Sequence, residues 1–152
     1  MPFIAPAIAA AIGGGIVTEI AVGLGQYLDG ANVGTWLEVG TFAPDEVPIT
    51  LGPIPIEFPQ AIGLTPYPVS SDRQLGIGVL GIQIYVRATS VGELLDLRGA
   101  IREALDGMRN ITAGGHELPL IWWSSGADLS EDHGRTFESS DNFYLHYSQA
   151  ER

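Results

Sequence analysis

The sequence predicts an α+β domain, a mixed or mainly antiparallel sheet with two helices packed on one face. Three observations predict it. Val79-Leu-Gly-Ile-Gln-Ile-Tyr-Val-Arg87 alternates in the manner of a strand, with Ile82, Ile84 and Val86 on one face and Gln83, Tyr85 and Arg87 on the other. A segment with apolar residues at helical spacing follows at once, from Ser90 to Gly107. Two aromatic-rich runs, Leu118–Trp123 and Asn142–Tyr147, then frame a polar stretch. Strands with one apolar face beside helices with one apolar stripe bury both by packing in layers.

Taken from the start, residues 1–12 form an uncharged apolar prefix, and Gly13-Gly14-Gly15 supply a hinge that tolerates almost any backbone angle. The expected organisation is an arm at 1–15 and one domain at 16–152. No basic segment leads the prefix, which argues against a signal peptide. A membrane span needs about 20 apolar residues in a row, and the glycines and Glu19 interrupt this run, so no membrane partner is expected.

Val17, Ile20, Ala21, Leu24, Tyr27 and Leu28 share a helical face and predict a helix over 16–29. Gly23 and Gly25 weaken it, so packing must hold it. Seven of the ten prolines lie between Gly40 and Pro68, which excludes long helices and central strands there and leaves short extended pieces at Val47–Leu51 and Ala61–Thr65. Leu75–Ala88 is the longest strand candidate. Ser90-Val-Gly-Glu93 has the form of a capping box that opens a helix over 90–107. Leu94, Leu97, Ile101 and Leu105 make its apolar face, and Gly107 stops it. Residues 107–116 read as a connector with a possible short strand. Strands at Glu117–Ser124 and Phe137–Ser148 flank a long polar loop at Ser124–Ser140.

Composition narrows the function classes. The 152 residues form one domain with room for a sizeable core. Hydrophobic residues make up 45% and charged ones 16%, few for a monomer's surface, where a quarter or more is usual. Covered surface explains the shortage, and so do a Gly- and Ala-rich chain and neutral polar loops. The net charge of −11 excludes binding to a phosphate backbone by counterion release. Cysteine is absent, so thiolate metal sites and disulfides are excluded.

The densest polar cluster is Asp128, Glu131, Asp132 and His133. Carboxylates with a histidine suit a metal, but the spacing matches no calcium loop, and a solvated hairpin tip is the preferred reading. His116, His133 and His146 are isolated in sequence. Ser124-Ser125-Gly126 lacks the leading glycine of a nucleophile elbow. The triple glycine has no lysine to complete a phosphate loop. No catalytic residue, cofactor or metal ligand is assigned, and no enzyme is expected. Trp122 and Trp123 are candidate interface anchors, although strand alternation also sends one ring into the core and leaves its neighbour partly exposed.

In its order of segments the chain resembles the tail terminator proteins of long-tailed bacteriophages, a group of minor capsid or minor tail proteins. The resemblance is carried by Thr18-Glu-Ile-Ala-Val-Gly-Leu-Gly-Gln-Tyr-Leu28, Ile62-Gly-Leu-Thr-Pro-Tyr-Pro-Val69 and Gly78-Val-Leu-Gly-Ile-Gln-Ile-Tyr-Val-Arg87. Leu97-Arg-Gly-Ala-Ile-Arg-Glu-Ala-Leu-Asp-Gly107 and Gly134-Arg-Thr-Phe-Glu-Ser-Ser-Asp-Asn-Phe-Tyr-Leu-His-Tyr147 complete it. It spans about residues 17–147; the prefix 1–15 departs from it. The resemblance implies a homo-oligomeric ring, usually a hexamer, on the head-proximal end of the tail tube in the virion, assembled in the host cytoplasm. Its partners would be the tail tube protein and the head–tail connector protein, with DNA a non-specific passenger. Ile4, Ile8, Ile12, Trp122 and Trp123 are then the candidate interface residues, the prefix docking on a neighbouring subunit or the tube; the rival readings are that it folds back on its own domain or is a disordered terminus. Asp128, Glu131, Asp132 and Glu138 are the candidate lumen or partner-facing loop. A head-completion or connector ring protein is the alternative, and a small-ligand or metal-binding α+β enzyme domain a further one.

Overall fold

The structure is a computed structural model and describes residues 4–5, 15–72, 76–126, 130–132 and 136–148. Among the described residues two helices, α1 (Ile16–Gly30) and α2 (Val91–Leu105), pack on a mixed sheet. Its strands are β2 (Thr35–Trp36), β4 (Pro48–Leu51), β5 (Ala61–Asp72), β6 (Ile77–Ala88), β7 (Arg109–Ala113), β8 (His116–Gly126) and β10 (Thr136–Ser148). They lie in the order β2-β4-β5-β6-β10-β8-β7, and β9 (Ser130–Asp132) pairs with β10. The β2–β4 and β4–β5 pairs are parallel, and the remaining pairs are antiparallel. A separate two-residue ladder joins β1 (Ile4–Ala5) to β3 (Gly40–Thr41). This is the α+β class and mixed sheet that the alternation predicted.

The helices share one face of a sheet that curls around them. α1 touches β2, β4 and β5 at one end of the strand order and β7 at the other, while α2 covers β6, β8 and β10 between them. One core results. Ile20, Leu24 and Leu28 of α1 meet Leu94, Leu97, Ile101 and Leu105 of α2 over Ile82, Ile84, Val86, Phe143 and Leu145. Tyr27 donates to the carbonyl of Ala104 at 3.3 Å and ties the helices together. Ile20, Leu24, Ile82, Ile84, Val86, Leu94, Leu97, Ile101 and Leu105, expected in the interior, are all buried, while Val17 and Tyr27 are partly buried at its margin.

The glycines that weaken α1 are explained by approach. A Cβ on Gly23 would sit 2.1 Å from the backbone nitrogen of Gly114, so helix and β7–β8 turn touch backbone to backbone. A Cβ on Gly25 would strike the ring of Trp36 at 2.5 Å. Lost helix propensity is exchanged for contact between distant parts of the chain.

α2 begins as the sequence indicates. The Ser90 hydroxyl accepts from the Glu93 amide at 3.1 Å. The reciprocal bond falls one residue early: the Glu93 carboxylate accepts from the Thr89 hydroxyl at 2.6 Å and the Thr89 amide at 3.3 Å. The helix ends at Asp106, and Gly107 adopts φ 78, a left-handed angle suited to glycine.

Two expectations need correction. Proline does not keep β5 out of the sheet interior: β5 runs 12 residues, through Pro66 and Pro68, between β4 and β6. β4 pairs with it only as far as Leu64. The Leu64 carbonyl accepts from the Gly52 amide at 2.7 Å, so it faces the β4 side. By alternation the nitrogens of Pro66 and Pro68 face the same side, beyond the end of β4, where no ladder donor is required. β5 is interior over its first half and an edge over its second. Secondly, Ser124–Ser140 is not one loop. β8 extends to Gly126, β9 pairs Ser130–Asp132 with Glu138–Thr136, and β10 starts at Thr136.

Candidate assembly interface

The inner and outer faces of the sheet hold different chemistry. On the inner face, Asp141 of β10 is buried and held by a two-pronged ion pair with Arg98 of α2, at 2.9 and 2.8 Å. The Trp123 indole N–H donates to the same carboxylate at 2.9 Å. Burial pushes this carboxyl up. The hydrogen bonds from Arg98 and Trp123, with the charges of Arg98 and Arg102, outweigh it and hold Asp141 below the usual carboxylate range. Its hydrogen bond to Asp141 in turn raises the Arg98 guanidinium, against its own partial burial. The Arg102 guanidinium stacks 4.2 Å from the centre of the Trp123 ring, and the Trp123 amide donates to Asp106 at 2.8 Å. Trp123 is thereby fixed by ring, indole nitrogen and backbone.

Register places the next residue on the opposite face. Trp122 lies across from Tyr144 of β10, Tyr144 across from Gly81 of β6, and Gly81 across from Tyr67 of β5. An aromatic row therefore crosses four strands. Trp122 meets Tyr144 edge-on at 5.8 Å and His146 edge-on at 5.1 Å. A Cβ on Gly81 would sit 2.3 Å from the Tyr67 ring, so the glycine lets that ring lie down on the sheet. The Tyr67 hydroxyl donates to Asn142 at 3.2 Å. Burial raises its phenol, with Tyr144 adding to the effect, so the hydroxyl keeps its proton well past neutral pH.

Beyond this row come Gln83 with Asn142, then Tyr85, then the Arg87–Glu138 ion pair at 2.8 Å. Arg87 also donates to the carbonyls of Pro55 and Phe58 at 3.0 and 3.1 Å, which fastens the proline-rich loop over this end of the sheet. Between that loop and Tyr85 lies an open groove of about 420 Å³, lined by Pro53, Ile54, Thr65 and Arg87.

The residues singled out from sequence fall as follows. Trp122 is on the outer face and Trp123 packs against the core. Glu138 stands in β10, ion-paired, rather than in a loop. The backbones of Glu131 and Asp132 belong to β9, and their side chains, with all of Asp128 and His133, lie outside the described residues. So do Ile8, Ile12 and the side chain of Ile4, although the Ile4 backbone pairs with Thr41 of its own chain. Among the described residues, no group of three or more His, Asp or Glu is placed to hold a metal. No described helix is long and apolar enough to cross a membrane. Sequence reasoning missed Tyr67, Tyr144 and His146 as one surface with Trp122. Alternation within β10 signals that Tyr144 and His146 share a face, but only the cross-strand register joins them to β8 and β5.

No protein-family model and no curated protein sequence matches this chain. Among solved structures, it is similar to a chain of a particle described as "Virion of native gene transfer agent (GTA) particle". The TM-score is 0.55 at 14% identity, over 66% of this chain and 78% of that chain. At that identity the likeness establishes a shared fold.

Proposed function

We propose that this chain is a structural, non-catalytic subunit of a phage-like virion, and within it the tail terminator. Copies would form a ring, six by the family resemblance, on the head-proximal end of the tail tube. The ring would end tube polymerisation and present its other side to the head–tail connector protein. One observation carries the reading: the fold is shared with a chain of a gene transfer agent virion. The order of segments, which resembles tail terminators, gives the finer assignment.

The physical properties agree with a ring that DNA traverses without being held. At −11 per chain, six copies concentrate negative charge around one passage, and a polyanion is repelled rather than bound. A head-to-tail contact that closes by rotation gives a ring instead of a filament.

The test is electron microscopy and sedimentation of the full chain, followed by addition to polymerising tail tubes. Rings that arrest tube growth at one end are expected. Rings that bind head connectors but leave tube growth unchanged would move the assignment to a head-completion protein. A chain that stays monomeric and caps nothing would end the ring reading.

A further inference from the structure

We infer that the outer face of the sheet is a docking surface for a second copy of this chain, and that it receives the outward side of α2 from that copy. The inference takes its head-to-tail sense from the ring reading above.

The first ground is charge. The chain has 18 acidic and 7 basic residues, so two copies repel each other over most orientations. The outer face is different. From the row of Arg87 to the row of Val79, the residues of β5, β6 and β10 carry one balanced ion pair, Arg87–Glu138, and the imidazole of His146. The rest is uncharged, and its larger side chains include Thr65, Tyr67, Gln83, Tyr85, Asn142 and Tyr144, with Trp122 of β8 beside them. A basic partner would be drawn to the acidic surfaces elsewhere. A second acidic copy can approach this one.

The second ground is what the other side of the subunit offers. α2 turns Leu94, Leu97 and Ile101 into the core and leaves Val91 39% and Leu95 51% exposed on its far side. Asp96 and Glu103 are exposed on the same helix. Their carboxylates accept hydrogen bonds, and the sheet face supplies donors in the Tyr85 hydroxyl, the Gln83 amide and His146. Tyr85 itself is 41% exposed. The two surfaces are complementary, and they lie on opposite sides of the molecule. Joining them is a heterologous contact, which gives a ring where its rotation closes and a filament where it does not.

Size is adequate. Four strands about 4.8 Å apart, over eight residues at about 3.3 Å each, give a footprint of roughly 500 Å² before side-chain relief is counted. A stable interface needs about 800 Å² of accessible surface per partner. Side-chain relief and the adjoining groove lined by Pro53 and Ile54 add to that footprint.

The cysteine-free chain allows a clean test. Tyr85→Cys and Leu95→Cys replace side chains already exposed, so folding should be unchanged. With a short bismaleimide, the full-length double variant should give a ladder of covalent multimers ending at the ring's subunit number. A mixture of the two single variants should stop at covalent dimer, and each single variant alone should give at least tenfold less. Efficient dimers from Tyr85→Cys alone would overturn the inference, because sheet faces would then be stacking on each other. Rings seen by microscopy without cross-linking of the double variant would overturn the docking face and leave the ring standing. Cross-linked dimers from the mixture without rings would do the reverse. A monomeric chain that does not cross-link would end both.

Discussion

Trp122 and Trp123 are neighbours in sequence with the same side chain, and the two faces of the sheet use them differently. The inner ring is held by Asp141 and Arg102, and its backbone amide by Asp106, all within one subunit. The outer ring touches Tyr144 and His146, themselves part of a surface row. On the inner face Asp141, Arg98 and Trp123 pair across elements and close the core, while the buried Ser139 hydroxyl has no hydrogen-bond partner among the described residues. On the outer face the aromatic rings meet edge-on across strands and stay partly exposed. Strand alternation alone produces this division: one residue's shift along β8 exchanges a core pillar for a surface ring.

The largest way to break the comparison is to cut into the inner face. Ile101→Ala should cost about 2–5 kcal/mol, because Ile101, on the side of α2 that faces the sheet, is 2% exposed. Tyr85→Ala, on the outer face, should change stability by no more than about 0.5 kcal/mol. Urea unfolding of both gives the contrast directly, and equal midpoints would dissolve it.

Next is the ion pair. Arg98→Ala leaves the buried Asp141 carboxylate without its main partner and should cost about 3 kcal/mol at neutral pH, the low end for broken buried pairs because Arg98 itself is partly exposed. The pH dependence has a definite sign. Asp141 is held below its unfolded value of about 3.9. Its contribution is therefore full above that pH and is lost as pH falls through the lower folded value. The gap between wild type and Arg98→Ala should shrink in acid as Asp141 takes up a proton. A gap that stays constant from pH 7 to pH 3 would show that the carboxylate is not the source.

The smallest effect gives the sharpest comparison. Trp123→Phe keeps a ring and removes the indole N–H bonded to Asp141, and should cost about 1.5–3 kcal/mol, as for a hydrogen bond to a charged group. Trp122→Phe makes the same chemical change on the outer face and should cost under about 1 kcal/mol. Its larger effect should be on self-association, read by sedimentation. If the two substitutions destabilise the monomer equally, the faces do not differ in the way described.

The parts of the fold written in local pattern were legible beforehand. Alternation in Val79–Arg87, helical spacing from Leu94 to Leu105, and the Ser90 and Gly107 boundaries each concern residues close in sequence. The long strand β5 was not legible, because whether proline disrupts a strand depends on which side its nitrogen faces and on where the neighbouring strand stops. Nor was the extent of β8 and β10, whose polar ends Ser124–Gly126 and Thr136–Asp141 look like loop until pairing is known. Trp36 and Asp141 gave no local signal, since their partners lie in other elements.

The sequence by itself determined the class of fold, the apolar faces of α1, α2 and β6, the acidic balance and the absence of cysteine chemistry. These follow from composition and from the fixed periods of helix and strand. Tertiary structure alone decided that Gly23 meets Gly114, that Asp141 is paired rather than solvated, and that Tyr67, Tyr144, His146 and Trp122 become one surface. Each of these joins residues tens of positions apart, and only register and the curl of the sheet bring them within contact distance.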